Sequence, residues 1–414
     1  MIVNDYFFLE PDWQYDIVTG RRWRTSFQTT LERGEKRARL VDYPFKTLKF
    51  SVVPFTASEN NYIRRKFYRA RNKKFGVPIW IDRCSTTMEV SPTSGLTFTV
   101  DDNTLRQFEV GGLLVLWEDK DTYEVKQISS IGSNQFTLTD IFQLTWASGT
   151  YVFPIIQGRL SRSNTLNQQT TWGHSSIDIE VIEDYDADIT RTVYSGNSFS
   201  TYQTYEVFNV EPNYSDAPRT VIEVYPYITQ FLAKSIDYAY SVEGSINTEN
   251  KYSFYNRSDL YELVKLFDEK CGQWGEFWYP SWQDDVVITT PFDSADTVLD
   301  VEDIEWDSYW KDNKILGRYL YVLLPDGTEI IRKILSAPTS TSLQVDSAMG
   351  TTITSLQNVI SCFLYMGRFN KDEMNIKWLS ETVSEVQIGF TTIKDNEDVI
   401  VTTTTITGSP TTTT

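Results

Sequence analysis

Hydrophobic and polar residues alternate along several short segments of the chain, as they do in half-buried β-strands. The alternation is clearest in Ile177-Asp178-Ile179-Glu180-Val181 and in Val386-Gln387-Ile388-Gly389-Phe390. Strict alternation places one face of a strand in a core and the other in water. Two segments differ, because apolar residues recur every three to four positions near Ile63 and Leu263, which predicts amphipathic helices. The pattern therefore predicts a mainly β protein of the α+β class with one helix in each half.

Each predicted helix has a start signal and a stop signal. Ser58 and Ser258 each precede an acidic residue, and we expect them to be N-caps. Glycines follow both helices, Gly76 in the first half and Gly272 or Gly275 in the second. Glycine is favoured just after a helix because it tolerates a left-handed backbone. These signals place the two helices at corresponding points of the two halves.

Three motifs occur twice, separated by 201, 202 and 209 positions. The pairs are Glu10-Pro11-Asp12-Trp13 with Glu211-Pro212-Asn213-Tyr214, Pro78-Ile79-Trp80-Ile81-Asp82 with Pro280-Ser281-Trp282-Gln283-Asp284, and Gly158-Arg159-Leu160 with Gly367-Arg368-Phe369. The separation grows slowly, as expected of copies that differ by short loop insertions. A period near 200 is too long for a solenoid repeat. The sequence therefore predicts a duplicated domain.

Each copy is interrupted by a segment of about 70 to 80 residues that contains only short strands. Strands at this spacing, with Asp326-Gly327 as a hairpin turn, predict a small closed β-barrel. The predicted units are a first β-sandwich-like domain at 1–84 and 158–185, a first inserted β-barrel at 85–157, a linker at 186–203, a second β-sandwich-like domain at 204–285 and 367–394, a second inserted β-barrel at 286–366, and a threonine-rich extended C-terminal arm at 395–414.

Charge is distributed unevenly along the chain, whose net charge is −18. Residues 1–74 contain 16 Lys and Arg against 8 Asp and Glu, a net charge of +8, and the remainder carries −26. An acidic protein repels phosphates, so we expect no nucleic-acid partner. The basic end predicts either a solvated face or a surface that docks on an acidic neighbour.

The cysteine spacing and the length of the apolar segments bear on metal binding, secretion and membrane insertion. Cys84, Cys271 and Cys362 share no short spacing, so no zinc or iron–sulfur motif is present and free, mostly buried thiols are expected. The N-terminal residues lack the pattern of a signal peptide. No stretch of 18 apolar residues occurs, so we expect no membrane insertion.

The residue types that usually carry catalysis are sparse. His174 is the single histidine, and we interpret it as a loop residue. No nucleophile elbow and no P-loop motif occurs, so the sequence predicts neither an enzyme nor a cofactor. Asp82 and Asp284 repeat beside a Pro-x-Trp, and we interpret them as turn anchors. The acidic run Asp300–Asp307 is interpreted as a solvated loop, with calcium binding or a carboxylate pair as alternatives, although the turn glycine of a calcium loop is absent.

Aromatic residues cluster in the second half. Trp274, Trp278 and Trp282 lie within nine positions. They could form a sugar-stacking platform, and the alternative is that they fill a core and a subunit contact. A carbohydrate-binding receptor protein is therefore the second functional hypothesis, and a glycosidase, which needs two carboxylates in a cleft, is the third.

The two helices share an apolar stripe but differ in surface charge. The first carries Arg64, Arg65, Lys66, Arg69, Arg71, Lys73 and Lys74, whereas the second has Glu262, Asp268 and Glu269. One fold with diverged faces is what a structural subunit with different neighbours requires. We expect contacts between subunits through Arg64, Arg65, Arg69, Arg71, Glu35 and Arg37, and through Thr403, Thr405 and Ile406 of the C-terminal arm.

The first copy resembles the distal-tail type of tail-tip protein from long-tailed bacteriophages and gene transfer agents. The resemblance rests on Phe7-Phe8, Gly34-Glu35-Lys36-Arg37, the helix that follows Ser58, Gly76 and Trp80-Ile81-Asp82. It covers residues 1–82 by motif and the remainder by architecture only. The second copy has Ala217-Pro218-Arg219 where Gly-Glu-x-Arg would be sought.

The resemblance implies a non-enzymatic virion protein of the tail tip or baseplate, assembled in the host cytoplasm. Such a protein joins the tail tube to hub or fibre proteins. It implies a homo-oligomeric ring, with a hexamer expected in preference to a trimer.

Overall fold

The computed structural model describes residues 5–29, 34–69, 73–160, 166–168, 174–183, 191–215, 219–223, 226–231, 234–239, 244–311, 313 and 315–394. The chain is mainly β, with strands arranged in large antiparallel ladders. This confirms the predicted mainly β, α+β class. The predicted arm at 395–414, with Thr403, Thr405 and Ile406, lies outside the described residues, as does Arg71.

The first half contains one helix and thirteen strands among its described residues. These are β1 Ile17–Arg22, β2 Thr25–Thr29, β3 Glu35–Arg39, β4 Phe45–Val52, α1 Ala57–Arg69, β5 Phe75–Pro78, β6 Cys84–Ser85, β7 Thr97–Thr99, β8 Leu113–Trp117, β9 Tyr123–Gly132, β10 Gln135–Leu138, β11 Tyr151–Leu160, β12 Leu166–Gln168 and β13 His174–Glu183.

The second half contains two helices and fourteen strands in the part described. These are β14 Thr201–Tyr202, β15 Tyr205–Glu206, β16 Arg219–Glu223, β17 Pro226–Phe231, β18 Lys234–Ala239, β19 Ser245–Phe254, α2 Arg257–Glu269, β20 Phe277–Pro280, β21 Val298–Asp300, α3 Trp306–Tyr309, β22 Tyr319–Leu323, β23 Glu329–Thr339, β24 Ser342–Val345, β25 Ile360–Phe369, β26 Glu373–Trp378 and β27 Ser384–Thr392.

Both predicted helices exist, but the N-cap of each lies two residues before the predicted one. In α1 the Thr56 hydroxyl accepts a hydrogen bond from the Glu59 amide (3.1 Å), and the Glu59 carboxylate accepts one from the Thr56 amide (3.1 Å). This reciprocal pair is a capping box. In α2 the Asn256 side chain accepts from the Asp259 amide at 2.8 Å. The prediction of Ser58 and Ser258 as N-caps was therefore wrong.

Strands of the two halves pair in the same way at matching positions. Gly158 lies opposite Phe75 in β11 and β5, and Gly367 lies opposite Phe277 in β25 and β20. The ladders β4·β13 and β19·β27 also correspond, as do β8·β11 and β22·β25. Both glycines are needed, because a Cβ at Gly158 would lie 2.3 Å from the Ile182 oxygen, and one at Gly367 would lie 2.9 Å from the Thr391 oxygen. We therefore treat residues whose partners match as equivalent positions.

Apolar residues of both halves contribute to one large buried cluster. Within it Phe50 and Val181 of the first half are buried, as are Phe267 and Phe390 of the second. Two smaller clusters lie elsewhere, one inside the β6–β11 segment and one around Trp278 and Tyr319. The halves are thus packed against each other through a shared core.

Candidate assembly interface

Strand β1 joins the sheets of the two halves. On one side it pairs with β4, with Val18 opposite Lys49, and on the other it pairs with β26, with Val18 opposite Lys377. Trp378 Nε1 donates a hydrogen bond to Thr19 Oγ1 at 2.8 Å across this second ladder. Because backbone groups pair on both sides of β1, the two halves form a continuous ladder.

A buried ion pair fixes β1 to the end of α2. Arg21 Nε donates to Asp268 Oδ1 at 3.1 Å, and Arg21 Nη2 contacts Oδ2. The side chains are 4% and 0% exposed. Asp268 also accepts from the Tyr194 amide at 3.0 Å and Trp23 Nε1 at 3.3 Å. Burial alone would lower the pKa of Arg21, but the Asp268 carboxylate raises it above its ordinary value.

Strands β2 and β3 pair with each other and lie against the second half, and we call these two strands the first arm. Glu35 accepts two hydrogen bonds from the Arg368 guanidinium, at 2.8 and 2.9 Å. Arg37 pairs with Glu276 and donates to the Trp274 carbonyl at 2.9 Å. Burial raises the pKa of Glu35, but the Arg368 guanidinium more than offsets this and the net shift is downward. Bidentate pairs of this kind set orientation as well as energy.

A second buried ion pair joins the halves at the start of α2. Arg257 Nη1 donates to Asp82 Oδ1 at 2.7 Å and to the Leu105 carbonyl at 3.1 Å. Its guanidinium lies over the Trp378 ring, 4.6 Å from the centroid. Asp82 is fully buried and also accepts from the Gln107 amide at 3.1 Å. Asp82 therefore anchors a turn, as expected, and in addition holds the other half.

The acidic face of α2 holds the connection between the halves. Backbone amides of residues 194, 196 and 198 donate to Asp268, Glu269 and Glu262, respectively. The Ser198 contact to Glu262 measures 2.5 Å. We expected this face to meet another subunit. Its carboxylates instead bind residues of the same chain, because the connecting segment at 191–200 runs along the helix.

The structure places the predicted interface residues in two groups. Glu35 and Arg37 lie between the halves, as described above. Arg64 and Arg65 are exposed on α1, where Arg65 Nε donates to the Asn61 carbonyl at 3.3 Å. Arg69 ends α1, and its side chain lies outside the description. The structure therefore leaves α1 of the first half with an open basic face.

The prediction of a sugar-stacking surface is wrong for two of its three residues. Trp278 is 1% exposed and Trp282 is 7% exposed. Trp278 Nε1 donates to the Tyr202 carbonyl at 3.0 Å, and its ring lies 4.7 Å from that of Tyr319. Trp274 is partly buried against the core. Buried rings cannot stack on a sugar, so these residues fill the core, which was the alternative interpretation.

The part of the chain that the structure describes offers little support for a metal site or a ligand pocket. No group of three or more His, Cys, Asp or Glu residues there could hold a metal ion. In the acidic run, Trp306–Tyr309 forms the short helix α3, with Trp306 buried. A pocket of about 170 Å³ is lined by Val41, Asp42, Tyr43, Pro44, Phe45 and Arg191. This is smaller than most ligand sites, which are roughly 300–1,000 Å³.

The three cysteines are free and buried, as the sequence predicted. Burial raises the pKa of Cys362 to about 12. A thiol that stays protonated at neutral pH is a poor nucleophile and a poor metal ligand. The cysteines therefore contribute to packing.

No model of a protein family matches the chain, and no curated protein matches it. Among the described residues, no helix is long and apolar enough to cross a membrane.

A partly buried carboxyl at Asp285 should make stability depend on pH. Asp285 accepts a hydrogen bond from the Phe363 amide at 2.8 Å, and burial raises its pKa to about 6. Its contribution to stability is therefore full below the unfolded pKa of about 3.9 and is lost as pH rises through 6. We expect Asp285→Asn to stabilise the chain at pH 8 by about 2 kcal/mol, and little at pH 4. Urea unfolding at both pH values measures this.

The neighbouring Asp284 is exposed and provides the matched control. Asp284→Asn should change stability little, and by the same amount at both pH values. Equal effects of Asp285→Asn at pH 4 and pH 8 would show that the Asp285 carboxyl does not titrate in this range.

Proposed function

We propose that the chain is a tandem duplication of a β-sandwich-like domain, each copy with one helix and an inserted small β-barrel. The proposed bounds are those predicted from the sequence. Matching pairs support the duplication: the Phe7 amide donates to the Gly76 carbonyl, and the Phe208 amide donates to that of Trp278. Each barrel segment also has an isolated bridge outside its named strands, Thr86 to Val100 in the first and Ile288 to Val301 in the second.

The duplicated chain is proposed to be a structural subunit of a bacteriophage tail tip or baseplate. It would assemble as a homo-oligomeric ring, hexameric or trimeric, that connects the tail tube to hub or fibre proteins. The observation that carries the proposal concerns Glu35 and Arg37, charged residues of the motif behind the resemblance. Both make ion pairs with the other half, to Arg368 and Glu276. The motif thus serves contact between domains, which is what a ring of such domains requires.

The proposal describes an assembly component rather than an enzyme. Charged residues that are buried in pairs, such as Arg21 with Asp268, join the halves and do not line a cleft. Its partners would be copies of itself and other tail proteins, without nucleic acid or membrane insertion. Its place would be the virion tail, after assembly in the host cytoplasm.

Localisation in a particle tests this function. Gold-labelled antibody against the chain should mark one end of the tail in particles from a host that encodes it. Intact, infectious particles that lack the chain would contradict the proposal.

The basic face of α1 should make assembly sensitive to salt. Arg64 and Arg65 are exposed there, and Arg69 follows one turn later. If this face meets the acidic remainder of a neighbour, Arg64→Glu with Arg65→Glu should weaken association at low salt by roughly 10-fold. Sedimentation at 0.05 M and 0.5 M salt measures this. Association that is indifferent both to salt and to charge reversal would show that electrostatics does not drive assembly.

A further inference from the structure

Strands β1 and β16 occupy matching positions but have different numbers of neighbours. In β1, Val18 lies opposite Lys49 of β4, and in β16, Arg219 lies opposite Glu249 of β19. The other side of β1 is paired with β26. Among the described strands, β16 pairs with β19 alone. The second half therefore carries an open edge where the first half is joined to its neighbour.

The first half contains a strand, β12, that matches the partner of the internal junction, β26. Strand β26 pairs with β27, with Ile376 opposite Val386, and β12 pairs in the same way with β13, with Leu166 opposite Ile177. Strand β26 also pairs with β1, whereas β12 pairs with β13 alone in the described part. The described strands β16 and β12 therefore match the two members of the β1·β26 junction, but they are not paired with each other.

The residues beside these open edges are apolar and exposed. Ile222 of β16 occupies the position of Arg21, and Tyr68 of α1 occupies the position of Asp268. The pair Arg21 and Asp268 is buried, but Ile222 is 63% exposed and Tyr68 is 80% exposed. Contiguous exposed apolar side chains mark interaction surfaces, and Ile222 and Tyr68 would become contiguous if the two edges met. An isoleucine and a tyrosine would pack against each other where the internal junction has an ion pair.

The two arms also have different residue types at matching positions. Strands β17 and β18 form the second arm, in which Asp237 lies opposite Ile228, as Arg37 lies opposite Phe27 in the first arm. Arg37 binds Glu276. The isolated bridge between Gly76 and Tyr6 corresponds to that between Trp278 and Val207. Lys74, two residues before Gly76, therefore has the position in the first half that Glu276 has in the second. The signs of both charges are reversed together, so the pair stays complementary.

We propose that a second copy of this chain covers the open edge, with β16 of one copy antiparallel to β12 of the next. Thr220 would lie opposite Leu166, and Ile222 would pack on Tyr68. The proposal rests on the proposed function only in taking the chain to be a homo-oligomer. It deepens it by naming the interface.

This interface is heterologous, since two different surfaces meet. A heterologous contact that repeats gives a closed ring or an open filament rather than a two-fold dimer. Each copy would add two domains to the assembly, joined alternately by the internal β1·β26 junction and the proposed β16·β12 junction.

The interface can be tested in the full chain by introducing the charged residues of the internal junction at the matching positions. Ile222→Arg alone and Tyr68→Asp alone should each weaken self-association by roughly 100-fold, because each places an unpaired charge in a buried contact. The double variant should recover most of the loss, because arginine and aspartate are the residues used at the internal junction. Light scattering after size exclusion, over a concentration series, measures each association constant.

Phe55 provides the matched control. It is an aromatic residue of the first half with 82% exposure, and its counterpart Tyr255 stays 77% exposed beside the internal junction. Phe55→Asp should therefore leave association unchanged. Circular dichroism should show all four variants folded, because each altered side chain is exposed.

Amide exchange provides a second measurement. In the assembled wild-type chain, amides of residues 219–223 should exchange at least 10-fold more slowly than in Ile222→Arg. An assembled wild type with both single variants unaffected would overturn the interface while leaving the proposed ring intact. A wild type that is monomeric at every concentration would overturn the interface outright, and loss of the tail-tip function would be seen separately as absence from the particle.

Discussion

Asp268→Ala is expected to destabilise the chain by about 3–5 kcal/mol, because it leaves the Arg21 guanidinium buried without its carboxylate. The same change removes the acceptor for the Tyr194 amide and Trp23 Nε1. Unsatisfied buried donors each add to the cost. The loss should appear as a lower urea midpoint at pH 7, and since β1 joins the sheets, both halves should unfold together.

Removing both members of the pair separates charge burial from packing. Arg21→Met with Asp268→Leu should cost less than Asp268→Ala, because no buried charge is left unpaired. Asp307, which is exposed, provides a control in Asp307→Ala, with an expected change below about 0.5 kcal/mol. An Asp268→Ala effect as small as this control would show that the ion pair does not hold the halves together.

Asp82→Ala should cost about 3 kcal/mol, because Asp82 is the carboxylate partner of the buried Arg257 guanidinium. Arg257 keeps hydrogen bonds to the Ile81, Leu105 and Glu381 carbonyls, which should hold the loss to this size. Thermal unfolding followed by tryptophan fluorescence measures the change.

Asp284 is the residue at the same place in the repeated Pro-x-Trp-x-Asp motif, and it is exposed. Asp284→Ala should change stability by less than about 0.5 kcal/mol. Comparable losses from the two variants would mean that the motif aspartate supports the local turn in both halves, rather than the contact between them in one.

Local patterns were sufficient to predict several elements, but not all of them and not every boundary. Alternation and helical spacing predicted β13, β27, α1 and α2, which all exist. The caps were misplaced because Ser58 and Ser258 are good N-cap residue types. The spacing between Thr56 and Glu59, three residues, was the signal that could have identified the first cap.

Exposure could not be predicted for the aromatic segment. The segment Trp274–Trp282 has no periodicity that separates solvent-exposed positions from buried ones. Trp278 and Trp282 are buried because residues 202, 319 and 321 pack over them, and these partners lie 39 to 76 residues away along the chain.

The contacts between the halves could not be predicted from the sequence for a related reason. Arg21 and Asp268 are 247 residues apart, and nothing in their local sequence indicates that they meet. The charge difference between the two helices was visible in the sequence. Its interpretation depended on the path of residues 191–200, which bind the acidic carboxylates of α2 from the same chain.

Electron cryomicroscopy of the purified full chain would show whether copies of the proposed duplicated β domain assemble head to tail. We expect a ring in which β16 of each copy continues into β12 of the next, with Ile222 beside Tyr68. A monomer at all concentrations, or a two-fold dimer that leaves β16 uncovered, would contradict it.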